Sequence, residues 1–474
     1  MKMPTLSILA AALLLSACAA PEFRQPHVAT PAAFKEEEQP AVLTAADGSR
    51  WRQARAAERQ PRGQWWLAFD DAALTALVDE ASRNNANLAV AAARVRQARS
   101  IVGIAAADRS PQIGVGAGAE RAALVGEAPH NTYRAGLGAS YEVDLFGRVS
   151  ASVAAAEGDA ARIEADYRSV LLVLQADVAQ TYFQLRATDA ELDTLAQAVQ
   201  LREESLKVTQ RRFDHGDIGE FDLSRARTEL ATARAEATGL QRQRDASEHA
   251  LAVLLGRPAA DFMAGSSPLL DGAPLPRIPA GLPSSLLERR PDIAAAQRTM
   301  EASNARIGVA RAAMFPALSL NADGGGVGGA VSDIFQMSGR SWLLGATLAM
   351  PLLDGGRNKA NVARSQAVLE ESVASYRQSV LTAYAEVEDS LSGLRVLDQQ
   401  SDQVDDAVRS ARRSADLARK LYDTGRSSYI DLLDAQRNLA NVERNAVQLR
   451  GDRAITTVAL IRALGGGWDE INEE

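Results

Sequence analysis

The sequence predicts a mainly α-helical chain with a small β part, made from two copies of one structural unit. Residues 130–257 and 352–474 contain no proline, and because proline is excluded from helix interiors, both stretches can form long helices. Four glycine-rich segments of about ten residues alternate between apolar and polar or small residues, which is typical of β-strands. Matching residues recur in the two halves at a constant spacing, which indicates a duplication.

The N-terminus has the features of a secretory signal, because Lys2 is followed by the apolar run LSILAAALLL. Residues 1–17 are therefore predicted to be a signal peptide. One interpretation is an ordinary signal peptide that happens to contain a cysteine. The other rests on Leu-Ser-Ala-Cys, which resembles the lipobox of bacterial lipoproteins and implies cleavage before Cys18 and covalent lipid on that residue. With Ala19 next, the resemblance also implies sorting to the outer membrane, and residues 18–62 would be a lipid-anchored extended arm.

Charge, cysteine and histidine content exclude several classes of protein. Lys and Arg number 52 against 60 Asp and Glu, and the net charge of −8 argues against a nucleic-acid partner. A single cysteine excludes an intramolecular disulfide framework. The histidines are far apart without metal-ligand spacing, and no phosphate loop or nucleophile elbow occurs. We therefore expect no enzyme activity, no metal and no cofactor other than the lipid on Cys18.

Each half is predicted to contain a helix, two strands and a very long helix. In the first half these are Asp71–Ala107, Gln112–Arg121, Thr132–Glu142 and Val149–Arg212. In the second half they are Pro291–Ala313, Ala317–Gly326, Ser341–Met350 and Asn358–Leu421. A helix of this length is on the order of 95 Å long, which no compact globular domain needs.

The duplication is clearest from Gly147 to Gly256, where the halves align without a gap. Gly147 matches Gly356 (356 − 147 = 209), and Gly256 matches Gly465 at the same spacing. The predicted divisions after the arm are repeat 1 at 63–256, a proline-rich linker at 257–281, repeat 2 at 282–465 and a C-terminal tail at 466–474.

Both long helices carry apolar residues at alternating three- and four-residue steps. This heptad pattern runs from Leu171 to Phe213 and recurs from Val380 to Tyr422. It predicts a coiled coil. The period alone is equally compatible with a plain soluble coiled coil, so it does not indicate what the helices surround.

The four strands set a condition on any membrane assembly. Their length fits tilted membrane strands of about 9–11 residues. A single-chain transmembrane barrel needs at least about eight strands, and an open strand edge in lipid costs several kcal/mol for each unpaired backbone group. If these strands insert in a membrane, several chains must therefore contribute their strands to one barrel. Two chains would leave a bore filled by side chains, and three would leave a passage.

Several motifs, taken together and in order, resemble the outer membrane factors, the TolC-like channel-tunnel proteins, and most closely their lipoprotein branch. These motifs are Trp65-Trp66 with Phe69, Asp71 and Leu74; Ser110-Pro111; Asp144-Leu145-Phe146-Gly147-Arg148; Gly281-Leu282-Pro283; Arg290-Pro291-Asp292-Ile293; Phe315-Pro316; Asp354-Gly355-Gly356-Arg357; and Leu433-Asp434-Ala435-Gln436-Arg437. The resemblance covers nearly the whole mature chain.

The resemblance implies a homotrimer with a 12-stranded transmembrane β-barrel in the outer membrane, four strands per chain, continued by a long α-helical coiled-coil tunnel through the periplasm. It implies an exit duct that works with a periplasmic adaptor (membrane fusion protein) and an inner-membrane pump. The alternative is a non-conducting, lipid-anchored periplasmic scaffold or adaptor. The paired strands favour the duct, because a scaffold has no need of them. Drugs, metal ions, solvents and small acids fit a duct equally well as cargo.

The segments where the long helices end are the candidate functional site. Gly216 and Gly425 supply the backbone freedom for a turn there. The resemblance places these turns at the periplasmic tip, where rings of residues constrict the tunnel. The implied gate positions are Asp222, Tyr422, Ile430, Asp431, Asp434 and Arg437.

The gate residues differ in how closely they follow the family. Some relatives pair the aspartate that Asp222 matches with an arginine, but Ser427 occupies that arginine's position here and Arg426 lies one residue earlier. An alternative for any one of these charges is a solvated helix end. Three-fold symmetry would place Asp431 and Asp434 around one axis, where carboxylates repel one another and attract cations.

Overall fold

The computed structural model describes residues 23–26, 28–31, 33–36, 63–123, 125–126, 128–269, 275–276, 278 and 289–466. The predicted signal peptide 1–17, Cys18, most of the arm 18–62, and residues 467–474 of the predicted tail lie outside the described residues. So do part of the linker and residues 282–288 of repeat 2.

Seven helices and four strands form the described part of the chain, together with short 3-10 turns. The helices are α1 (Ala72–Asn84), α2 (Ala86–Ala107), α3 (Arg148–Asp214), α4 (Glu220–Leu254), α5 (Pro291–Ala312), α6 (Arg357–Asp423) and α7 (Tyr429–Ala463). The strands are β1 (Gln112–Ala122), β2 (His130–Val143), β3 (Ala317–Gly328) and β4 (Arg340–Ala349). The mainly α fold with a small β part is confirmed.

The duplication predicted at a spacing of 209 residues extends to the ends of the helices. The first residues of α3 and α6 differ by 357 − 148 = 209, and both helices have 67 residues. The first residues of α4 and α7 differ by 429 − 220 = 209, and both have 35 residues. At about 1.5 Å per residue, α3 and α6 are each roughly 100 Å long.

Many positions of the predicted heptad pattern are buried in the structure. The buried ones are Leu174, Val178, Leu185, Leu195, Val380, Ala383, Val387, Val408, Ala415 and Tyr422. Phe213 departs from the pattern, because it is 36% exposed whereas its repeat-2 counterpart Tyr422 is buried. No helix within the described residues combines the length and the apolarity needed to cross a bilayer.

The first helix was predicted as one element, and the structure breaks it at Asn85. That residue has extended backbone, and its side-chain oxygen accepts from the Leu88 amide at 3.0 Å, which caps α2. Its amide nitrogen donates to the Leu254 carbonyl at 2.9 Å, so the break also fixes the end of α4. The apolar pattern continues across Asn85, and that residue caps a new helix at once. Periodicity alone therefore did not reveal the break.

The described residues group into two compact units that do not coincide with the repeats. The first is built mainly from Ala92–Tyr167 and Asp292–Ser379 and contains the sheet. The second is built from the described parts of Ala29–Ala91, Arg168–Pro291 and Val380–Glu474. Each unit draws on both repeats, because α3 and α6 contribute residues to both units.

The strands form one antiparallel sheet in the order β1-β2-β3-β4. Within the described residues, the outer edges of β1 and β4 pair with no further strand. All strand ends that lead to helices lie at one end of the sheet, and the β1–β2 and β3–β4 connections lie at the other.

The strand register sorts the side chains of the sheet onto two faces, because directly paired residues share a face. The face called apolar here carries Ile113, Val115, Ala117, Tyr133, Leu137, Ala139, Tyr141, Leu318, Leu320, Trp342, Leu344 and Leu348, with Arg121, Asn131 and Arg340 at the end that leads to the β1–β2 and β3–β4 connections. The polar face is formed by Gln112, Glu120, Arg134, Ser140, Glu142, Ser319, Asn321, Asp323, Ser341 and Thr347, with several glycines and the apolar Val327 and Leu343. On the polar face, Arg134 pairs with Glu120 at 2.5 Å. In the described part of the chain, neither face of the sheet packs against a core. Because one face is mainly apolar and the other mainly polar, the two faces need different surroundings.

Two matching motifs connect the strands to the long helices. Asp144 caps α3, since its carboxylate accepts from the Val149 and Ser150 amides at 2.9 and 2.8 Å. Asp354 caps α6, accepting from the Gly356 and Asn358 amides at 2.9 Å each. These hydrogen bonds hold the pKa of Asp354 below its ordinary value. The shared Asp–Gly–Arg pattern in the sequence is thus a helix start.

A buried ionic network in the second unit holds the start of the linker between the repeats. The fully buried Asp189 carboxylate accepts from Arg186 at 3.0 Å and from Arg244 at 2.7 Å, and Arg244 also donates to Glu248 at 2.7 Å. Further bonds reach the linker backbone. These bonds are Arg186 to Gly265 O (2.7 Å), Arg244 to Ala264 O (2.7 Å), Ala264 N to Glu248 (2.5 Å) and Ser267 N to Asp189 (3.0 Å). Each charged side chain of the cluster therefore has at least one partner of opposite charge, which stabilises it when buried, although the Arg186 Nε has no hydrogen-bond partner among the described residues.

Replacing Gly256 with alanine should destabilise the protein more than the same change at Gly216. Both glycines have left-handed backbone, with φ of 73° and 80°, so each substitution costs about 1–2 kcal/mol from the backbone alone. A Cβ on Gly256 would also overlap the Asn84 carbonyl oxygen, whereas a Cβ on Gly216 meets nothing within 4 Å. Thermal unfolding in detergent, followed by circular dichroism, measures the difference. Equal losses would contradict the close approach of α1 to the residues after α4.

Candidate functional site at the helix turns

The two turns between long helices share one geometry. Gly216 follows α3 with φ of 80°, and Gly425 follows α6 with φ of 72°. At the first turn, the Gly216 amide donates to Phe213 O at 2.9 Å and the Asp217 amide donates to Arg212 O at 2.8 Å. The second turn has the same two bonds, from Gly425 to Tyr422 O at 3.0 Å and from Arg426 to Leu421 O at 2.8 Å. This is the Schellman ending, in which a left-handed glycine lets the last carbonyls of a helix be satisfied.

Asp431 has a local structural role in the second turn. Its carboxylate accepts from the Ser428 amide at 3.0 Å and from the Ser428 hydroxyl at 2.7 Å, which forms a capping box at the start of α7. The hydrogen bonds from Ser428 lower the pKa of Asp431 from 3.8, so it is ionised at neutral pH. Ile430 and Asp434, on either side of it, are exposed.

Asp222 occupies the equivalent position at the start of α4, but its surroundings differ. The residue that precedes α4 is Gly219, which has no hydroxyl to complete a capping box. Within the described part of the chain, no ion pair joins Asp222 to Arg426. The Ser427 hydroxyl, at the position of the family's arginine, is buried without a hydrogen-bond partner in this chain. The structure therefore does not bring the residues of this latch together within one chain.

Tyr422 is packed between the two repeats. Its ring is 3% exposed and lies in a cluster with Ala226, Tyr429, Leu432 and Leu433. The Arg212 guanidinium stacks on this ring, 4.3 Å from its centroid, and also donates to the Tyr422 carbonyl at 2.9 Å. The Tyr422 hydroxyl has no hydrogen-bond partner in this chain. The contact links the end of α3 to the end of α6.

A second link joins α4 to α7 through Arg437 and Glu229. The guanidinium binds the carboxylate in bidentate fashion, with Nε 3.0 Å from Oε2 and a second bond from Nη2 to Oε1. The Glu229 side chain is 8% exposed and that of Arg437 is 44% exposed. The hydrogen bond raises the pKa of Arg437, while burial and then the charge of Glu229 raise the pKa of Tyr429 to about 12. Both groups thus keep one protonation state at every physiological pH.

The site therefore contains two kinds of residue. Tyr422 and Arg437 fasten the first repeat to the second, whereas Asp431 and Asp434 direct carboxylates toward solvent in the single chain. Sequence reasoning missed the two partners, Arg212 and Glu229. Glu229 lies seven residues after Asp222, about two turns further along α4 on the same face, so its position on the face of a predicted gate residue was a signal that could have found it.

Arg437→Ala should destabilise the fold by about 1–3 kcal/mol, because it leaves the nearly buried Glu229 carboxylate without a cation. Adding Glu229→Gln should recover part of this loss, since the unpaired charge is then removed. The control is Arg409→Ala in an exposed pair with Asp406, whose side chains are 70% and 71% exposed, and it should change stability by less than about 0.5 kcal/mol. Denaturant unfolding in detergent measures all three. Equal effects of the two arginine substitutions would contradict the link.

Comparison with known proteins identifies relatives along nearly the whole chain. The family model described as outer membrane efflux protein matches residues 77–257 and 282–466. The pyoverdine export outer membrane protein OpmQ of Pseudomonas aeruginosa is 33% identical over 482 residues, covering 99% of this chain and 98% of its own. The cation efflux system protein CusC of Escherichia coli is 30% identical over 466 residues, with coverage of 97% and 98%.

The solved structure of the outer-membrane channel OprN has the same fold. It matches with a TM-score of 0.85 at 29% identity, covering 95% of this chain and 99% of that one. The expected resemblance to TolC-like channels and the expected outer-membrane location are thereby confirmed. The chain belongs to the outer membrane efflux protein family and is an efflux channel of the outer membrane that extends into the periplasm.

Proposed function

We propose that three copies of this chain form a lipid-anchored exit duct of a tripartite efflux system. The observation that carries the proposal is a four-stranded sheet with one apolar face, one polar face and two open edges. Joining the open edge of β4 to that of β1 in the next copy satisfies the backbone groups that lipid would leave unpaired. Three copies supply twelve strands, enough for a closed barrel with a passage, whereas two supply eight and a filled bore.

The two faces of the sheet fit the two environments of such a barrel. The apolar face, with Val115, Leu137 and Leu344 exposed in the single chain, meets lipid. The polar face, with Glu120, Arg134 and the glycines, lines the water-filled passage. This amphipathic sheet also favours the duct over the coiled-coil scaffold, which would require no apolar strand face. Transport through a lined passage requires no catalytic residue.

Described parts of the N-terminal arm support an anchored arm that follows the second repeat. The Lys35 and Glu36 amides donate to the Glu388 carboxylate at 2.7 and 3.0 Å. The Glu36 carboxylate in turn accepts from Arg395 at 2.7 Å. Acylation of Cys18 would tether the start of this arm to the outer membrane.

The remaining components of the system are a periplasmic adaptor and an inner-membrane pump, since a passive duct has no energy source. Two relatives are named for different cargo, one for pyoverdine export and one for cation efflux. The proposal therefore assigns this chain the exit path and leaves cargo choice to the pump.

In the trimer, the helix turns form a closable gate at the periplasmic end. Three copies of Asp431 and Asp434 supply six carboxylates that ring the axis and attract cations. The Arg212–Tyr422 and Glu229–Arg437 contacts hold the helix pairs together at the turn, so opening requires breaking or sliding them. Asp222 and Ile430 complete the lining of this constriction.

Arginine substitutions at the adjacent residues Leu343 and Leu344 test whether the sheet is part of a membrane barrel. Leu344 lies on the apolar face and Leu343 on the polar face, opposite Asp323. Leu344→Arg should impair membrane insertion, because a cation on the lipid face costs about 2–4 kcal/mol near the bilayer centre. Leu343→Arg should insert normally and shift the ion selectivity of single channels toward anions. Crosslinking of the parent protein should stop at three subunits. A parent that neither inserts nor conducts would support the scaffold instead.

The gate is tested by comparing lining and latch substitutions in planar bilayers. Asp431→Ala with Asp434→Ala should lower cation selectivity, because six charges leave the axis. Ser428→Ala is the control, since it removes the hydroxyl partner of the capping box and keeps both carboxylates.

Substitution of the latch residues should have a different effect. Tyr422→Ala with Arg437→Ala should raise resting conductance, because the helix pairs separate more easily. Phe213→Ala is the matched control at the equivalent but exposed repeat-1 position, and it should leave conductance unchanged. Unchanged selectivity in the lining variant and unchanged conductance in the latch variant would together refute the gate.

A further inference from the structure

The β3–β4 connection, residues 329–339, is folded back onto the sheet. It contains two 3-10 turns, Val331–Phe335 and Met337–Gly339, and the first lies against β2 and β3. Its contact with β3 is close enough that a Cβ on Gly326 would overlap the Ile334 carbonyl, and a Cβ on Gly328 would overlap the Asp333 side chain. The two glycines therefore allow the connection to lie directly on the strand.

The register identifies the face that the connection covers. Gly326 pairs with Ala135 and Gly328 pairs with Tyr133, and both partners lie on the apolar face. A substituent at either glycine would point to that face, so Val331–Phe335 lies on the apolar side of the sheet. It covers the central strands β2 and β3 and leaves the free edges of β1 and β4 open.

The surface that this connection presents is uncharged and carries three large apolar side chains. Its one ionisable side chain, Asp333, is turned inward, where its carboxylate accepts from the Ala330 amide at 2.9 Å. Val331, Phe335 and Met337 are 57%, 83% and 73% exposed. The other exposed residues of the connection that carry side chains are Ala330, Ser332, Gln336 and Ser338, none of which is charged. Exposed apolar side chains of this size grouped in one loop indicate a partner surface.

We infer that residues 329–339 are an anchor that inserts Phe335 and Met337 into the outer leaflet of the outer membrane. The inference rests on the proposed function, in which the apolar face of the sheet meets lipid. The anchor is continuous with that face and lies at the end of the sheet opposite the helices. Exposed Trp342 on the same face adds an aromatic ring of the kind enriched where membrane proteins cross the lipid interface.

The position of the anchor favours lipid over the other possible occupants. A second copy of the chain would join at the free strand edges, away from the central strands that carry the anchor. A plug of the passage would have to lie on the polar face, and the register places the connection on the opposite face. Of these occupants, lipid is the one that fits the position of this surface in the assembled barrel.

Tryptophan fluorescence in proteoliposomes tests the anchor. Phe335→Trp places a reporter on it, and Val125→Trp places a matched reporter in the β1–β2 connection, where residue 125 is fully exposed and the neighbouring Gly126 has nothing packed against it. Spectra of the parent are subtracted, and lipids brominated near the headgroup or near the acyl-chain ends serve as quenchers. The emission added by Phe335→Trp should be blue-shifted and lose most of its intensity, more with bromine near the headgroup. The emission added by Val125→Trp should be red-shifted and unquenched.

Quenching measurements on the parent protein distinguish failure of this inference from failure of the proposed function. If bromolipid leaves the parent emission unchanged, Trp342 does not meet lipid, and both the membrane-embedded barrel and the anchor are refuted. A quenched parent with red-shifted, unquenched emission from Phe335→Trp would refute the anchor alone and place the loop in water. Blue-shifted emission that bromolipid does not quench would also refute it, because the ring would then be packed against protein.

Discussion

The constraint on which the rest depends is the pairing of backbone groups at the two open edges of a four-stranded sheet. Among the residues that the structure describes, these edges pair with no further strand, and a bilayer supplies no hydrogen bonds to replace one. The same four strands separate their side chains into an apolar and a polar face, so neither face can serve as an ordinary core. The proposed ring of identical chains would solve both problems, because it closes the edges and places each face in its own medium. The long helices that leave the sheet would then follow the same ring symmetry.

Duplication supplies the two strand pairs and the two sets of long helices, but the copies have diverged where they meet. α3 and α6 have the same length, and their turns have the same glycine geometry. Phe213 nevertheless projects outward while Tyr422 packs against Arg212 and the second-repeat helix. A strict copy would present two equivalent helix pairs at the turn. The two turns of each chain therefore differ in packing, since the second is tied to the first repeat through Tyr422 and the equivalent Phe213 is partly exposed.

Much of this fold was predictable from sequence, because its signals are local. Proline-free stretches with heptad spacing fixed the long helices to within two residues at each end, and glycine-rich alternation located all four strands. The break at Asn85 was missed because the apolar pattern continues across it. Glu229 and Arg212 were missed because each finds its partner on a helix more than 200 positions away (437 − 229 = 208 and 422 − 212 = 210), and helix periodicity does not specify such pairs. The capping role of Asp431 was within reach, since Ser428 lies three residues before it. The role of Cys18 and the lining of the gate stay predictions, the first because its residues lie outside those described and the second because it depends on neighbouring chains.

The ionic network around Asp189 has a consequence for how this chain can change over time. Arg186, Asp189, Arg244 and Glu248 bind residues 264–267 only through main-chain amides and carbonyls. These contacts depend on the path of the backbone and not on the side chains of residues 264–267. Those residues can therefore change in sequence so long as their backbone keeps its course, whereas the four charged residues that bind them cannot. For the same reason, this stretch would accept surface redesign, such as a new charge or a reporter group, without disturbing the helices on which it lies.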